Sequence, residues 1–380
     1  LALEANKRSV ADASLRCSPE SRMSRTATTG NRRCPTVKMR DLKDHEACFE
    51  IRETDCSVAN ALRRVMISEV VTMAIDLVTF EENSSVVNDE IIAHRLGLMP
   101  IKYKYRPGER GTKLLSSMGG YVAFAEGDIR RRFRFTRDCD CESHCQYCSV
   151  EFSLDVENND PDLPDNLVVT TADLVSNDQD VQPVHFSTQD EQDKAQGNDA
   201  GIAIVKLGKG QRVKFTAVAK LGIGKEHAKW SPVCKCVFRP EPDVAFDDAV
   251  IAGLTQPIRD AIVKIAPKGV LAFADALKSD DPRLAAIPPA DRRKRIVVKN
   301  EAAILDYVED IAFFTKSVSP TGKPLIHASA SETNFIFDVE SVGAIPVHEI
   351  FLSAISTIQE KFTNLKDDVD RIASEVDDSS

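Results

Sequence analysis

The chain has 380 residues, 42% of them hydrophobic and 28% charged, with a formal net charge of -10 and a sequence pI near 5.4. That length can hold two domains with a good core, and the acidic balance argues against a chain whose own task is to grip nucleic acid, which needs a basic face. No apolar run approaches the ~20 residues of a membrane-spanning helix.

Residues 1–35 are rich in Ser, Arg and Thr and poor in apolar residues, the composition of a disordered tail. A transit peptide shares that composition and ranks second. Residues 36–52 read as two short strands: Val37 and Met39 alternate with Lys38 and Arg40, and Phe49 and Ile51 with Glu50 and Arg52. Thr54 to Ser57 supply helix N-cap candidates. A helix follows over 58–69, with Val58, Leu62, Val65 and Met66 on one stripe. Arg63 and Arg64 flank that stripe, and spacing alone makes them a solvated face. Val70 to Glu82 reads as a strand, Asn83 to Ser85 as a turn, and Asp89 to Arg95 as a short helix. Residues 102–131 read as irregular. Arg132-Phe-Arg-Phe135 alternates at strand period. Basic residues interleaved with aromatics also bind single strands, but a strand entering the next motif is the preferred reading.

That motif is Cys139, Cys141, Cys145 and Cys148, in the pattern C-x-C-x3-C-x2-C. Zn(II) takes tetrahedral sulfur ligation with bonds near ~2.3 Å, and four thiolates close the shell. A closed shell leaves no position for a reacting water, so the pattern predicts one structural zinc ion and no catalysis. Two disulfides or an iron–sulfur cluster are the alternatives; the first needs an oxidising compartment and the second favours other spacings. His144 reads as a surface residue. The other cysteines, Cys17, Cys34, Cys48, Cys56, Cys234 and Cys236, are scattered, which suits a reducing compartment. Cys234 and Cys236 read as half-buried residues on one face of a strand.

Residues 151–200 carry thirteen acidic residues and one lysine, a surface that repels phosphate. Long loops are expected around 158–166 and 190–199. Strands resume over 202–221. Lys220 to Trp230 holds the only tryptophan, and Gly222 and Gly224 mark a tight loop without the strand–GxGxxG–helix context of a nucleotide site. A helical segment over 247–265 is expected to break or kink at Pro257. The basic run Asp291 to Arg295 reads as a solvated loop, and Asn334 to Val339 as a strand. In the last helix Phe351, Ile355, Ile358, Phe362, Leu365, Val369 and Ile372 recur at spacings of 4, 3, 4, 3, 4 and 3. This 3.5-residue seam belongs to helices packed side by side. No nucleotide loop, HExxH or nucleophile–His–acid arrangement is present, so no catalytic or cofactor-binding residue is assigned.

Six motifs then fall in a familiar order: Ala61-Leu-Arg-Arg-Val-Met-Ile-Ser-Glu69, Ala74-Ile-Asp76, Ala93-His-Arg-Leu-Gly-Leu-Met-Pro-Ile101, the cysteine knuckle, Gly222-Ile-Gly-Lys-Glu-His-Ala-Lys-Trp230 and Val339-Glu-Ser-Val-Gly-Ala-Ile-Pro346. Together, over roughly residues 36–372, they closely resemble the family of the third-largest subunit of eukaryotic RNA polymerase II, homologous to the N-terminal domain of the bacterial alpha subunit. The resemblance implies an α+β fold. A discontinuous alpha-like dimerisation domain, residues 36–70 and 239–380, would be interrupted by a mostly β, zinc-bearing insert, residues 71–238. It implies a non-catalytic assembly subunit of a nuclear DNA-directed RNA polymerase. Such a subunit binds one structural Zn(II), pairs with a small alpha-like subunit, and docks the second-largest subunit and small zinc-bearing subunits. It implies no sequence-specific nucleic acid binding by this chain and no membrane. The implied interface comprises Leu62, Arg63, Arg64, Val65 and Met66 with Phe351, Ile355, Ile358, Phe362 and Leu365, so the arginine pair turns from a solvated face into a contact toward the large subunit.

The chain departs from the family in places. Its stretch between Ile101 and Cys139 is longer, the acidic middle of the insert diverges, and Val70-Val71-Thr72 stands where a proline often follows the first helix. The link over 240–330 is too divergent for contacts to be assigned. Two alternatives remain. One is the subunit shared by RNA polymerases I and III, faintly suggested by Pro267-Lys-Gly269, though that subunit generally lacks the knuckle. The other is a free-standing zinc-stabilised adaptor that dimerises through its last helix.

Overall fold

A computed structural model describes residues 34–43, 45–104, 128–159, 166–185, 201–267, 269–277, 284, 287–301 and 303–378. The expected tail lies outside the described residues up to position 33, as do parts of both acidic loops, 160–165 and 186–200. The architecture is α+β with strands predominating.

The chain divides into two compact units. One gathers residues 40–48, 60–237 and 338–380; the other gathers 1–39, 49–59 and 238–337. The opening elements are β1 (Thr36–Leu42), β2 (Glu46–Arg52), α1 (Cys56–Ser68), β3 (Val71–Asn83), α2 (Asp89–Gly97) and β4 (Ile101–Tyr103). The middle holds β5 (Ser149–Glu157), β6 (Asn166–Thr170), β7 (Val175–Ser176), β8 (Val181–Pro183), β9 (Ala203–Gly208), β10 (Arg212–Ile223) and β11 (Val233–Phe246). Then come α3 (Asp248–Gly253), α4 (Gln256–Ile265), β12 (Leu271–Phe273), β13 (Ile296–Val298), α5 (Val308–Val318), β14 (Ile326–Ser341) and α6 (Val347–Asp378).

The larger unit is built on a sheet of order β3–β10–β5–β7. The central strand β10 pairs antiparallel with β3, from Val213 opposite Asn83 to Ile223 opposite Val71, and with β5, from Arg212 opposite Glu157 to Lys220 opposite Ser149. Alternation explains which face is covered. Val150, Phe152 and Leu154 of β5 are buried while Glu151, Ser153 and Asp155 are exposed. On β10, Val213, Phe215, Ala217, Ala219 and Leu221 join the same core, while Val218, on the other face, is buried as well. Each large side chain so buried contributes about 1.5–3 kcal/mol. Helix α2 adds Ile92 and Leu96, four residues apart on one face. Its acidic first turn, Asp89 and Glu90, and basic last turn, His94 and Arg95, match the helix dipole. Two-stranded ladders β4–β8 and β6–β9 belong to the same unit.

A second four-stranded sheet has the order β1–β2–β14–β11. In the smaller unit Phe49 stacks on Phe337 with ring centroids 5.1 Å apart and planes 3° from parallel, and Phe238 packs on the same ring at 5.4 Å. A separate core of Ile251, Ile262, Leu271, Ile296, Ile311 and Ile326 joins α3, α4, α5 and the β12–β13 ladder. The break expected at Pro257 falls earlier, at Leu254 and Thr255, and the proline sits in the first turn of α4. There its missing N–H has no helical partner to lose. The basic run is exposed but not free: Arg293 pairs with Asp275, Lys294 with Asp291 and Arg295 with Asp248.

Candidate metal centre and docking surfaces

The stretch before the cysteines is not the expected strand. Arg132 closes a short 3-10 turn (Ile129–Arg131), residues 133–135 have no regular structure, and a second 3-10 turn (Thr136–Asp138) delivers Cys139. The alternation is real, but among the described residues no neighbouring strand pairs with it. Instead Phe133 is buried in the larger unit's core, Arg134 N–H donates to Tyr147 O at 2.8 Å, and Arg132 pairs with Asp178 and Asp180. The guanidinium of Arg137 lies over the Phe135 ring at 4.3 Å and pairs with Glu226.

The four cysteines converge. Cys139 and Cys145 Sγ atoms are 3.6 Å apart, as are those of Cys141 and Cys148, and Cys145 and Cys148 are 3.8 Å apart. All four sulfurs lie within 4.8 Å of one another. A disulfide needs ~2.05 Å, and all four cysteines are free. The set could hold one metal ion at its centre. Tight turns make this possible: Cys148 N–H and Ser149 N–H both donate to Cys145 O, at 3.0 and 2.9 Å, and Cys145 N–H donates to Cys148 Sγ at 3.3 Å. A backbone N–H at Tyr147 pulls the Cys145 thiol down to about 7. Its neighbours move the other way: the hydrogen bond with Cys139 holds Cys141 up to about 12, and burial pushes Cys148 up. Four thiols this close cannot all ionise without a cation among them. His144 is exposed and bonds Ser143 Oγ through Nδ1 at 3.0 Å, outside the cluster.

Of the interface residues expected on α1, Leu62, Val65 and Met66 are buried inside the chain, at 7%, 6% and 0% exposure. They hold the helix in place, whereas Val58, expected on the same stripe, is 45% exposed one turn earlier, and Ala61 and Arg64 also face outward. Arg63 donates twice to Asn60 Oδ1, at 2.9 and 3.2 Å, while Arg64 is exposed. A hollow of about 300 Å³ opens there, lined by Arg63, Arg64, Ile67, Ser68, Glu69 and Lys225. Two glycines bring Lys225 to it. A Cβ on Gly224 would lie 2.4 Å from Ile67 O, and one on Gly222 would lie 2.3 Å from the Trp230 ring. With no side chains in the way, the loop closes on the end of α1 and Lys225 N–H donates to Ser68 O at 2.8 Å. Sequence reasoning found this loop but not Lys225 or Glu69; the signal was the glycine pair itself. Cys236 is buried under α1, near Arg63 O at 4.0 Å, whereas Cys234 is exposed, because the helix covers only the later of the two.

Helix α6 runs from buried to bare. Val347, Ile350 and Ala354 are buried, and Phe351, Ile355 and Ile358 are half-buried. Beyond them Phe362, Leu365, Val369 and Ile372 are 68%, 58%, 56% and 55% exposed. The seam thus begins in the chain's own core and continues as an open apolar stripe.

Residues 48–362 match the RNA polymerase Rpb3/Rpb11 dimerisation domain. The chain is 40% identical over 342 residues to subunit 3 of DNA-directed RNA polymerases II, IV and V of Arabidopsis thaliana, covering 88% of this chain and 92% of that one. It is 34% identical over 345 residues to DNA-directed RNA polymerase II subunit rpb3 of Dictyostelium discoideum, covering 90% and 97%. It is 28% identical over 345 residues to DNA-directed RNA polymerase II subunit RPB3 of Schizosaccharomyces pombe, covering 88% and 87%. The family match spans α1, the four-cysteine cluster and the start of the open stripe, and the chain belongs to the Rpb3/Rpb11 dimerisation-domain family of RNA polymerase subunits.

Proposed function

We propose that this chain is subunit 3 of a nuclear DNA-directed RNA polymerase II, a non-catalytic subunit that assembles with other polymerase subunits. The observation that carries the reading is the 40% identity along 92% of a curated polymerase subunit 3. The open apolar stripe of α6 supports it, because a 3.5-residue seam left bare asks for a second helix. Among the described residues no helix is long and apolar enough to cross a membrane. The polymerase reading predicts that the chain, purified from its source cell, comes with two very large chains and one small alpha-like chain in equal amounts. Recovery as a lone homodimer would favour the adaptor reading instead.

In this reading residues 36–70 and 239–380 serve dimerisation and residues 71–238 form the insert. The partner helix lies along Phe351, Ile355, Ile358, Phe362 and Leu365. The metal is one structural Zn(II). Tetrahedral sulfur ligation with ~2.3 Å bonds sets the sulfurs about 3.8 Å apart, and separations of 3.6 to 3.8 Å support that fit. Cys139, Cys141, Cys145 and Cys148 would hold the ion, which closes the loop and supplies no reaction chemistry.

Arg63 and Arg64, with Lys225 beside them, face the second-largest subunit. Truncating interface arginines often costs ~2 kcal/mol or more of binding. Changing both arginines to Ala is expected to leave the alpha-like heterodimer intact and to weaken its capture of the second-largest subunit at least about thirtyfold. Exposed charges with no partner cost under ~0.5 kcal/mol. A pull-down with purified heterodimer therefore decides: capture equal to wild type returns the pair to a solvated face.

A further inference from the structure

Helix α6 leaves the body of its unit at one level. Its inward side chains are covered as far as Ile358, and the open stripe begins at Phe362. Between them stand two ion pairs of opposite polarity. Glu360 Oε2 meets Arg130 Nη1 at 3.2 Å, and Lys361 Nζ meets Glu69 Oε2. Successive helical residues point ~100° apart, so the two pairs hold the helix from different sides at the same height.

Both anchors are themselves fixed. Arg130 is mostly buried, at 15% side-chain exposure, and grips Asp128 through Nη2 at 2.7 Å and Nε at 3.0 Å. Asp128 Oδ1 also accepts Arg130 N–H at 2.9 Å, which closes the turn that carries both. Glu69 follows directly on α1, with its N–H donating to Val65 O at 2.9 Å. Desolvation by burial and the Asp128 hydrogen bond dominate the environment of Arg130, and Glu360 adds a second carboxylate.

We propose that Arg130 and Glu69, acting through Glu360 and Lys361, are positioning residues that fix the direction in which the open half of α6 projects. The consequence for partner binding rests on the dimerisation reading; the collar itself does not. Lys361 is 58% exposed, so its pair with Glu69 adds little to folding, and the helix starts well before the collar, on the buried Val347, Ile350 and Ala354. Direction is a different quantity. Ile372 lies twelve residues beyond Glu360, roughly 18 Å at ~1.5 Å per residue. A pivot of ~10° at the collar would swing that end by about 3 Å, more than knobs-into-holes packing tolerates. Apolar anchors at this level would lengthen the bare stripe, whereas charged ones mark where it starts.

The test uses the full chain carrying fluorophores at Ser153, on β5, and Asn364, both exposed, read as single molecules so that self-association is absent. Wild type is expected to give one narrow distance distribution. Glu360→Lys together with Lys361→Glu should broaden or shift it while metal content stays unchanged. Lys361→Glu alone should broaden it, and adding Glu69→Lys should restore it. In complexes with the small alpha-like partner, the two-residue reversal should weaken binding at least tenfold, and the Glu69→Lys, Lys361→Glu swap should recover it to within about twofold of wild type. A distribution unmoved by the reversal, or unrescued by the swap, overturns the collar. A wild-type chain that binds no partner overturns the dimerisation reading, and the distance distribution still judges the collar.

Discussion

Cys145→Ala is expected to reduce the metal content of the purified, reduced chain from one ion to none. Structural zinc sites in small peptides are worth roughly 10–16 kcal/mol of apparent binding energy at neutral pH, and removing one of four thiolates opens the shell to water and thiol exchange. The loss should stay local. Cys145 O anchors the two N–H groups that close the knuckle, and Tyr147 O anchors Arg134. Hydrogen exchange should therefore rise in residues 128–150. The smaller unit has its own core around Ile251, Ile262, Ile311 and Ile326 and should keep its protection. The same chemistry sets the pH response. Thiol ligands must be deprotonated, so affinity falls as pH drops, and a chelator should strip the wild-type protein faster in mild acid than at neutral pH. Elemental analysis that finds no zinc in freshly purified, reduced protein would sink the metal centre.

The second large effect lies on α6. Phe362→Glu together with Leu365→Glu should abolish pairing with the alpha-like partner. Each side chain, buried in an interface, is worth ~2 kcal/mol, so the pair amounts to about 4 kcal/mol, roughly a thousandfold in affinity. Both are more than half exposed in this chain, so thermal stability of the isolated chain should barely move. Wild type expressed alone should self-associate through the stripe, and co-expression with the partner should give a soluble one-to-one heterodimer. A monodisperse wild-type monomer at micromolar concentration would contradict the assignment, as would a double variant that still binds.

Periodic elements were legible in the sequence because burial has a period. The α1 stripe and the α6 seam both stand out, and the seam crosses from covered to bare without changing its spacing, so no sequence pattern marks Phe362 as the first open position. The cysteine spacing pointed to a cluster able to hold a metal ion because the four residues are local in sequence. Arg132 to Phe135 misled for a physical reason. Alternation reports which side chains face inward, not whether a neighbouring strand supplies hydrogen bonds, and here Tyr147 O supplies the one bond to Arg134 N–H. Contacts between distant segments were not legible at all. Nothing near Arg130 points to Glu360, 230 residues away, and nothing near Glu69 points to Lys361. Lys225 joined the arginine hollow only because Gly224 allows the backbone to approach Ile67 O. Proximity of this kind is a product of the fold.

The contact between Gly222 and the Trp230 ring constrains how these two positions can drift. The ring occupies the space of a Cβ on Gly222, its Nε1–H donates to Lys220 O at 3.1 Å, and its face carries Lys229 Nζ at 4.3 Å. Enlarging residue 222 first drives a side chain into an indole with nowhere to go. Shrinking Trp230 first leaves a void and takes the aromatic face from Lys229, which also holds Asp76 at 2.7 Å. Each single step is costly, and only a simultaneous exchange, a bulkier residue at 222 with a smaller one at 230, conserves volume. The two positions are therefore expected to change together or not at all, a coupled pair eight residues apart in sequence.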